Sequence, residues 1–206
     1  MRHIGILGGT FNPPHIAHLV MAQEAHDQLG LERVVLVPVS SPPHKESRED
    51  PGAEERLALC ELAVAGDERF AVSAIEVERG GPSYTVDTLR ELHARAPEHE
   101  LTFIVGGDMA HSLPLWREPE ALLSLARLAV AEREGVRRED ILRRLAPLAP
   151  PDRVVFFDMP RMDVSSSALR RRITAGRPIR YLVPDTVAAE IEAIGLYRQA
   201  VGRPVA

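Results

Sequence analysis

The feature that most restricts how this chain can fold lies near its start. The apolar run Ile4-Gly5-Ile6-Leu7 leads into Gly8-Gly9-Thr10-Phe11-Asn12-Pro13-Pro14-His15-Ile16-Ala17-His18, and Leu19-Val20-Met21-Ala22-Gln23-Glu24-Ala25 follows. An apolar run, two glycines and a segment of helical composition predict strand, tight loop and helix in that order. Adjacent glycines let the backbone turn sharply and bring bare N–H groups against a ligand, since no Cβ stands in the way. The helix N-terminus adds oriented amides and partial positive charge, a favourable place for phosphate.

With Pro14 near the first helical turn, His15 and His18 are three residues apart and share one face at the phosphate end. Their ring N–H groups suit phosphoryl oxygens. A plain capping or core pair is the structural alternative, and a metal site from two ligands at helical spacing is another. The metal alternative lacks a nearby Cys, and no acidic residue precedes Glu24 in this stretch. The loop is not a Walker loop, because no Gly-Lys-Ser/Thr follows, nor does it carry three spaced glycines.

A chain of 206 residues fits one α/β domain with a single core. The net charge of −5 gives no support for nucleic-acid binding, so an anionic ligand must be met by local positive charge. Cys60 is the single cysteine and sits among Leu57, Leu59 and Leu62, which predicts a small buried residue on a helix. The sequence shows no leader-like start and no segment of membrane-span length, so no membrane partner and a cytoplasmic location are the default expectations.

Continuous apolar runs at 33–39, 101–105, 128–131 and 154–157 predict buried parallel strands, and 70–77 reads as a short extended segment. Helical patterns fall at 54–66, 84–96 and 137–148, and a further helix runs through Ile194 before Gly195-Leu196-Tyr197. Strand and helix alternate throughout, which argues for a parallel sheet covered on both faces. Neither a repeat nor a dividing linker interrupts residues 1–206.

Three loops follow predicted strands. Ser40-Ser41-Pro42-Pro43-His44-Lys45 places Lys45 at the carboxyl end of the second strand, where open α/β sheets bind ligands; a solvated lysine is the plain alternative. In Arg79-Gly80-Gly81-Pro82-Ser83-Tyr84-Thr85 the residues alone give a turn, with Ser83 as helix cap. Asp108, in Gly106-Gly107-Asp108, can accept from ribose hydroxyls or cap a helix beginning at Met109, and one side chain can do both. Trp116 is the only tryptophan, and core packing is the usual fate of such a residue.

A second anion site is predicted at Val164-Ser165-Ser166-Ser167-Ala168-Leu169-Arg170. Consecutive serines before a helix can cap it and bind phosphate oxygens beside free N–H groups. Residues 161–180 hold six arginines against one acidic residue, Asp163, in a chain that is acidic overall. Arg170 lies one helical turn beyond Ser166 and Ser167 and can turn back to the same ligand, whereas Arg171 and Arg172 read as a solvated face.

The first motif resembles the signature of the nucleotidyltransferase superfamily, and more closely that of the bacterial nicotinate-nucleotide adenylyltransferases. Ala17 stands where the family pattern has Gly, and Asn12 where it commonly has Asp. Ser-Ser-x-x-x-Arg resembles the family's second signature, with Ser167 replacing a common Thr. Gly-Pro-Ser-Tyr-Thr, Gly-Gly-Asp and Trp116 fall between the two in family order.

The resemblance implies a Rossmann-like doubly wound parallel sheet with a small C-terminal helical cap, from about residue 165. It also implies adenylyl transfer from ATP to nicotinate mononucleotide, with no nucleic acid involved. ATP would be held by Gly8, Gly9, Thr10, Phe11, Gly106, Asp108, Ser166 and Ser167. The mononucleotide would meet Asn12, Lys45, Tyr84, Thr85 and Trp116, and His15, His18 and Arg170 would act on the phosphates. Mg²⁺ is expected on the ATP phosphates, with no protein metal site. Two other readings stay open: a related adenylyl- or cytidylyltransferase with another phosphorylated acceptor, and a nucleotide-binding sensor without turnover.

Overall fold

The computed structural model describes residues 2–41, 49–132 and 137–198. Strand β1 (Arg2–Gly9) leads to helix α1 (Ile16–Gln28), β2 (Arg33–Pro38), α2 (Ala53–Val64) and β3 (Phe70–Val72). Then come α3 (Ile75–Arg79), α4 (Thr85–Arg95), β4 (His99–Gly106), α5 (Gly107–Ser112) and α6 (Pro119–Leu125). Strand β5 (Ala126–Glu132), α7 (Arg138–Leu145), β6 (Val154–Asp158), α8 (Ser166–Thr174) and α9 (Asp185–Ala193) complete the described order.

Among the described residues, all strand pairs are parallel and the sheet order is β3-β2-β1-β4-β5-β6. The expected doubly wound sheet is therefore present, and its strand order reverses between β1 and β4. Ligands of such sheets bind outside the carboxyl ends at that point. Here those ends are Gly9 and Gly106.

Successive strand side chains point to opposite faces, and the core divides accordingly. Ile6, Phe103, Val105, Leu128 and Val130 pack with Leu89, Leu113, Leu122 and Ile141 on one face. Leu7, Leu36, Ile104, Ala129 and Phe157 pack with Met21, Ala22, Ala25 and Cys60 on the other. Both faces being covered explains why the strands read as unbroken apolar runs. A third cluster joins Leu59 of α2 to Leu169, Ile179, Val183, Val187 and Ile191, seating the C-terminal helices beside the first half of the chain.

Three local expectations are corrected. The extended reading of 70–77 holds only to Val72; Ile75–Arg79 is a helix that buries Ile75 and Glu76. Buried Glu76 accepts the Thr88 hydroxyl there, a tertiary bond that overrides the β-preference of Val77. Ser83 does not cap α4: Tyr84 occupies the cap position, and Ser83 Oγ accepts the Ser40 N–H at 2.9 Å, tying the exit of β2 to the start of α4. Helix α1 starts at Ile16 with His15 as its cap, two residues after Pro14.

Candidate active site

The loop after β1 is shaped by close packing. A Cβ on Gly9 would meet the Phe11 ring at 3.0 Å, so glycine is what admits that ring. Phe11 is buried, has φ of 48° and meets His18 edge-on at 4.9 Å between centroids. A bulky residue in the left-handed region is uncommon and is held there by its surroundings.

His15 and His18 occupy the cap and third positions of α1, and their rings stack at 3.6 Å between centroids. The His15 backbone N–H donates to His18 Nδ1 at 3.2 Å. In the neutral ring the proton then sits on Nε2, so His18 is set as an Nε2–H donor. Capping through Nδ1 and donation from Nε2 are thus compatible in His18.

The C-terminal layer grips the same loop. Ser166 Oγ donates to the Pro13 carbonyl at 2.9 Å, and Arg170 Nη1 donates to the Asn12 carbonyl at 2.8 Å. Arg170 Nε also pairs with Glu49 at 2.6 Å. Tyr197 donates its hydroxyl to Asn12 Oδ1 at 2.6 Å, and the Ile16 N–H donates to the Leu182 carbonyl at 3.0 Å. Ser165, not Ser166, caps α8, its side chain accepting the Ala168 N–H.

Two cavities meet at this point. A polar one of about 410 Å³ is lined by Thr10, Phe11, Asn12, His15, Ala17, Asp108, Ser166, Ser167 and Arg170. A more apolar one of about 220 Å³ is lined by Gly8, Gly9, Glu76, Thr85, Phe103 and Trp116. His18, Met21, Gly106 and Met109 line both. The two remote sequence motifs therefore converge on one cavity, and His18 stands where it joins the second.

Trp116 serves two purposes. It packs edge-on against Phe103 at 6.1 Å, donates Nε1–H to Ser112 Oγ at 3.2 Å, and still lines the apolar cavity. Asp108 is in the first turn of α5 rather than at its cap, which is Gly106, and it lines the polar cavity. Thr85 lines the apolar cavity, but Tyr84 is not among its described lining residues; the Arg117 guanidinium lies 4.6 Å over its ring. Lys45 falls outside the described residues.

Arg56 was missed by the sequence reading. It is 1% exposed and donates to Asp50 Oδ1 at 2.9 Å, the Thr10 carbonyl at 3.1 Å, the Val39 carbonyl at 2.6 Å and the Ser40 carbonyl at 2.9 Å. One guanidinium thus joins the glycine loop after β1, the end of β2 and the segment after it. A signal existed: Arg56, Leu59, Cys60 and Val64 are the buried positions of α2, so the arginine falls on the apolar stripe.

A family model described as cytidylyltransferase-like matches residues 6–172. A protein of Roseiflexus sp. (strain RS-1), named "Probable nicotinate-nucleotide adenylyltransferase", is 46% identical over 197 residues, covering 95% of this chain and 98% of that one. The chain belongs to the cytidylyltransferase-like family, in its nicotinate-nucleotide adenylyltransferase branch. A second member of this branch, from Geobacillus thermodenitrificans (strain NG80-2), is 43% identical over 197 residues, covering 96% of this chain and 87% of its own. The adenylyltransferase fold is also that of the Plasmodium falciparum nicotinic acid mononucleotide adenylyltransferase complexed with NaAD. That structure superposes with a TM-score of 0.79 at 18% identity, covering 96% of this chain and 98% of the other. Among the described residues, no helix is long and apolar enough to cross a membrane.

Proposed function

We propose that this chain transfers the adenylyl group of ATP to nicotinate mononucleotide, giving nicotinate adenine dinucleotide and pyrophosphate. The observation that carries the reading is the position of His18 at the junction of the polar and apolar cavities. ATP phosphates suit the polar side, where serines, imidazoles and a guanidinium gather. The pyridine suits the apolar side, against Trp116 and Thr85. The acceptor phosphate then reaches the α-phosphorus beside His18.

The reaction is a direct displacement. An oxygen of the mononucleotide phosphate bonds to the α-phosphorus, and the bond from that phosphorus to the bridging oxygen of pyrophosphate breaks. His18 Nε2–H donates to the α-phosphoryl oxygen as charge grows there. His15, Arg170, Ser166 and Ser167 hold the leaving phosphates, together with backbone amides of Gly8, Gly9, Thr10 and Phe11. Asp108 accepts from ribose hydroxyls. Lys45, Tyr84 and Thr85 complete the mononucleotide's contacts, whereas Asn12, expected to meet the mononucleotide, lines the polar cavity and serves the phosphates there. Positioning and charge stabilisation supply the rate, and no covalent enzyme intermediate is needed.

Magnesium fits as an ion carried by the substrate. The polar cavity offers mostly donors, with Asp50 and Asp108 as its carboxylates, so phosphates and water supply most of the ligands. When bound, the ion offsets charge on the transferring and leaving phosphates.

Pyrophosphate release, measured with ATP and a panel of phosphorylated acceptors, tests the reading. Turnover is expected with nicotinate mononucleotide. Turnover only with another acceptor supports a different transferase of the same fold. ATP binding without release for any acceptor supports a sensor, the reading that Ala17 favours because its buried methyl lines the polar cavity.

A further inference from the structure

Tyr197 carries no signal in the sequence, yet it reaches the loop at the centre of the site. Its backbone has φ of 61°, an uncommon conformation for a bulky residue. The turn is secured by the Thr174 hydroxyl, which donates to the Tyr197 carbonyl at 3.0 Å, and by the Leu196 N–H, which donates to the Ile191 carbonyl at 2.9 Å. Residues that keep such backbone strain cluster where the surrounding structure uses it.

The hydroxyl so placed donates to Asn12 Oδ1 at 2.6 Å across 185 residues. Burial holds the phenol well above its ordinary pKa, so it keeps the proton it donates. With the amide oxygen committed to Tyr197, the amide nitrogen faces the other way: one of its two N–H groups donates to the Glu49 carbonyl at 3.5 Å, and the second is the one a ligand can take. Asn12 is 3% exposed and lines the polar cavity, and its own carbonyl takes the Arg170 Nη1–H.

We propose that Tyr197 is a positioning residue that fixes the orientation of the Asn12 carboxamide, so that the Nδ2–H not given to the Glu49 carbonyl serves the bound phosphates and residue 12 acts as a neutral donor to them. The inference deepens the adenylyl-transfer reading and rests on it. An aspartate at position 12 would offer only acceptors and be unchanged by a half-turn about its last bond. An asparagine is changed by that half-turn, which gives Tyr197 an orientation to decide.

The test compares the intact chain with Tyr197→Phe, Asn12→Asp and the double variant, using kcat, the KM of each substrate and thermal unfolding. In the unaltered background, Tyr197→Phe is expected to lower kcat by about 3- to 10-fold, the scale of one hydrogen bond. In the Asn12→Asp background the same change is expected to cost under about 2-fold, since a carboxylate has no orientation to lose. Equal costs in both backgrounds, or a loss that follows the thermal midpoint alone, make Tyr197 a structural residue and overturn the proposal. The adenylyl-transfer reading is judged separately, by turnover of the unaltered chain. If that turnover is absent, the same four proteins are titrated with ATP, and a 3- to 10-fold loss of affinity confined to the chains that keep Asn12 carries the inference by itself, while an equal loss in both backgrounds overturns it.

Discussion

Ser166 donates its hydroxyl to the Pro13 carbonyl at 2.9 Å, closing a gap of 153 residues between the glycine-loop and serine motifs. Brought together, they line one cavity, His18 lines both it and the apolar one, and substitutions in either motif or in the groups that hold them together have distinct expected outcomes.

His18→Ala is expected to lower kcat by roughly 10²–10³, the scale for removing one well-aimed donor to a developing charge. Its Nδ1 bond belongs to the helix cap, so a small loss of stability accompanies the change. Steady-state kinetics on a variant with a normal folded spectrum check this. A near-normal kcat removes His18 from the chemistry.

Trp116→Ala should weaken nicotinate mononucleotide binding and leave ATP binding nearly unchanged, because Trp116 lines only the apolar cavity. Separate calorimetric titrations of the two ligands read the difference. Loss of both affinities together marks Trp116 as a packing residue alone.

Arg56→Ala is expected to destabilise the fold by about 3–5 kcal/mol, the range for breaking a buried charge pair. Asp50 and three carbonyls lose their donor at once. Urea unfolding gives the value. Arg56→Lys should recover little, since an ammonium cannot reproduce the planar fork.

Glu49 holds Arg170 at 2.6 Å, in the role a phosphate oxygen would take. Glu49→Gln is therefore expected to lower the KM for ATP by about 2- to 5-fold at low salt, the modest scale of a partly exposed ion pair. An unchanged or raised KM shows that the pair helps to build the site rather than competing with ATP.

Burial raises the Cys60 thiol pKa well above its ordinary value, with Arg56 opposing the shift. A raised folded-state pKa contributes stability that is complete below the unfolded thiol's pKa, about 8.5, and is lost as pH climbs above it. Native protein at pH 8 should leave Cys60 unmodified by an aromatic disulfide reagent, while urea-unfolded protein reacts at once. Prompt labelling of the folded chain contradicts this.

The sheet was legible because its central strands are buried on both faces and so appear as apolar runs. The glycine loop and the serine cap were legible because turns and helix ends demand particular residues at fixed offsets. Residues 75–77 misled because Val77 favours strands, whereas the Thr88 bond to buried Glu76 is long-range and leaves no periodic trace. Ser83 misled in the same way: its position suits a cap, but its oxygen takes the Ser40 N–H.

By itself, the order of residues determined that a first strand hands over to a tight glycine loop and a helix, that serines open a helix near residue 166, and that both belong to a parallel α/β fold. These are consequences of local backbone geometry and of apolar periodicity within a few turns. Only the tertiary structure decided that Arg56 sits inside, that Tyr84 lies under Arg117, that Tyr197 grips Asn12 and that His18 joins two cavities. Those relationships pair groups from separate stretches of the chain, most of them far apart in sequence. Their energy comes from satisfying buried polar atoms, and that demand exists only once packing has excluded water.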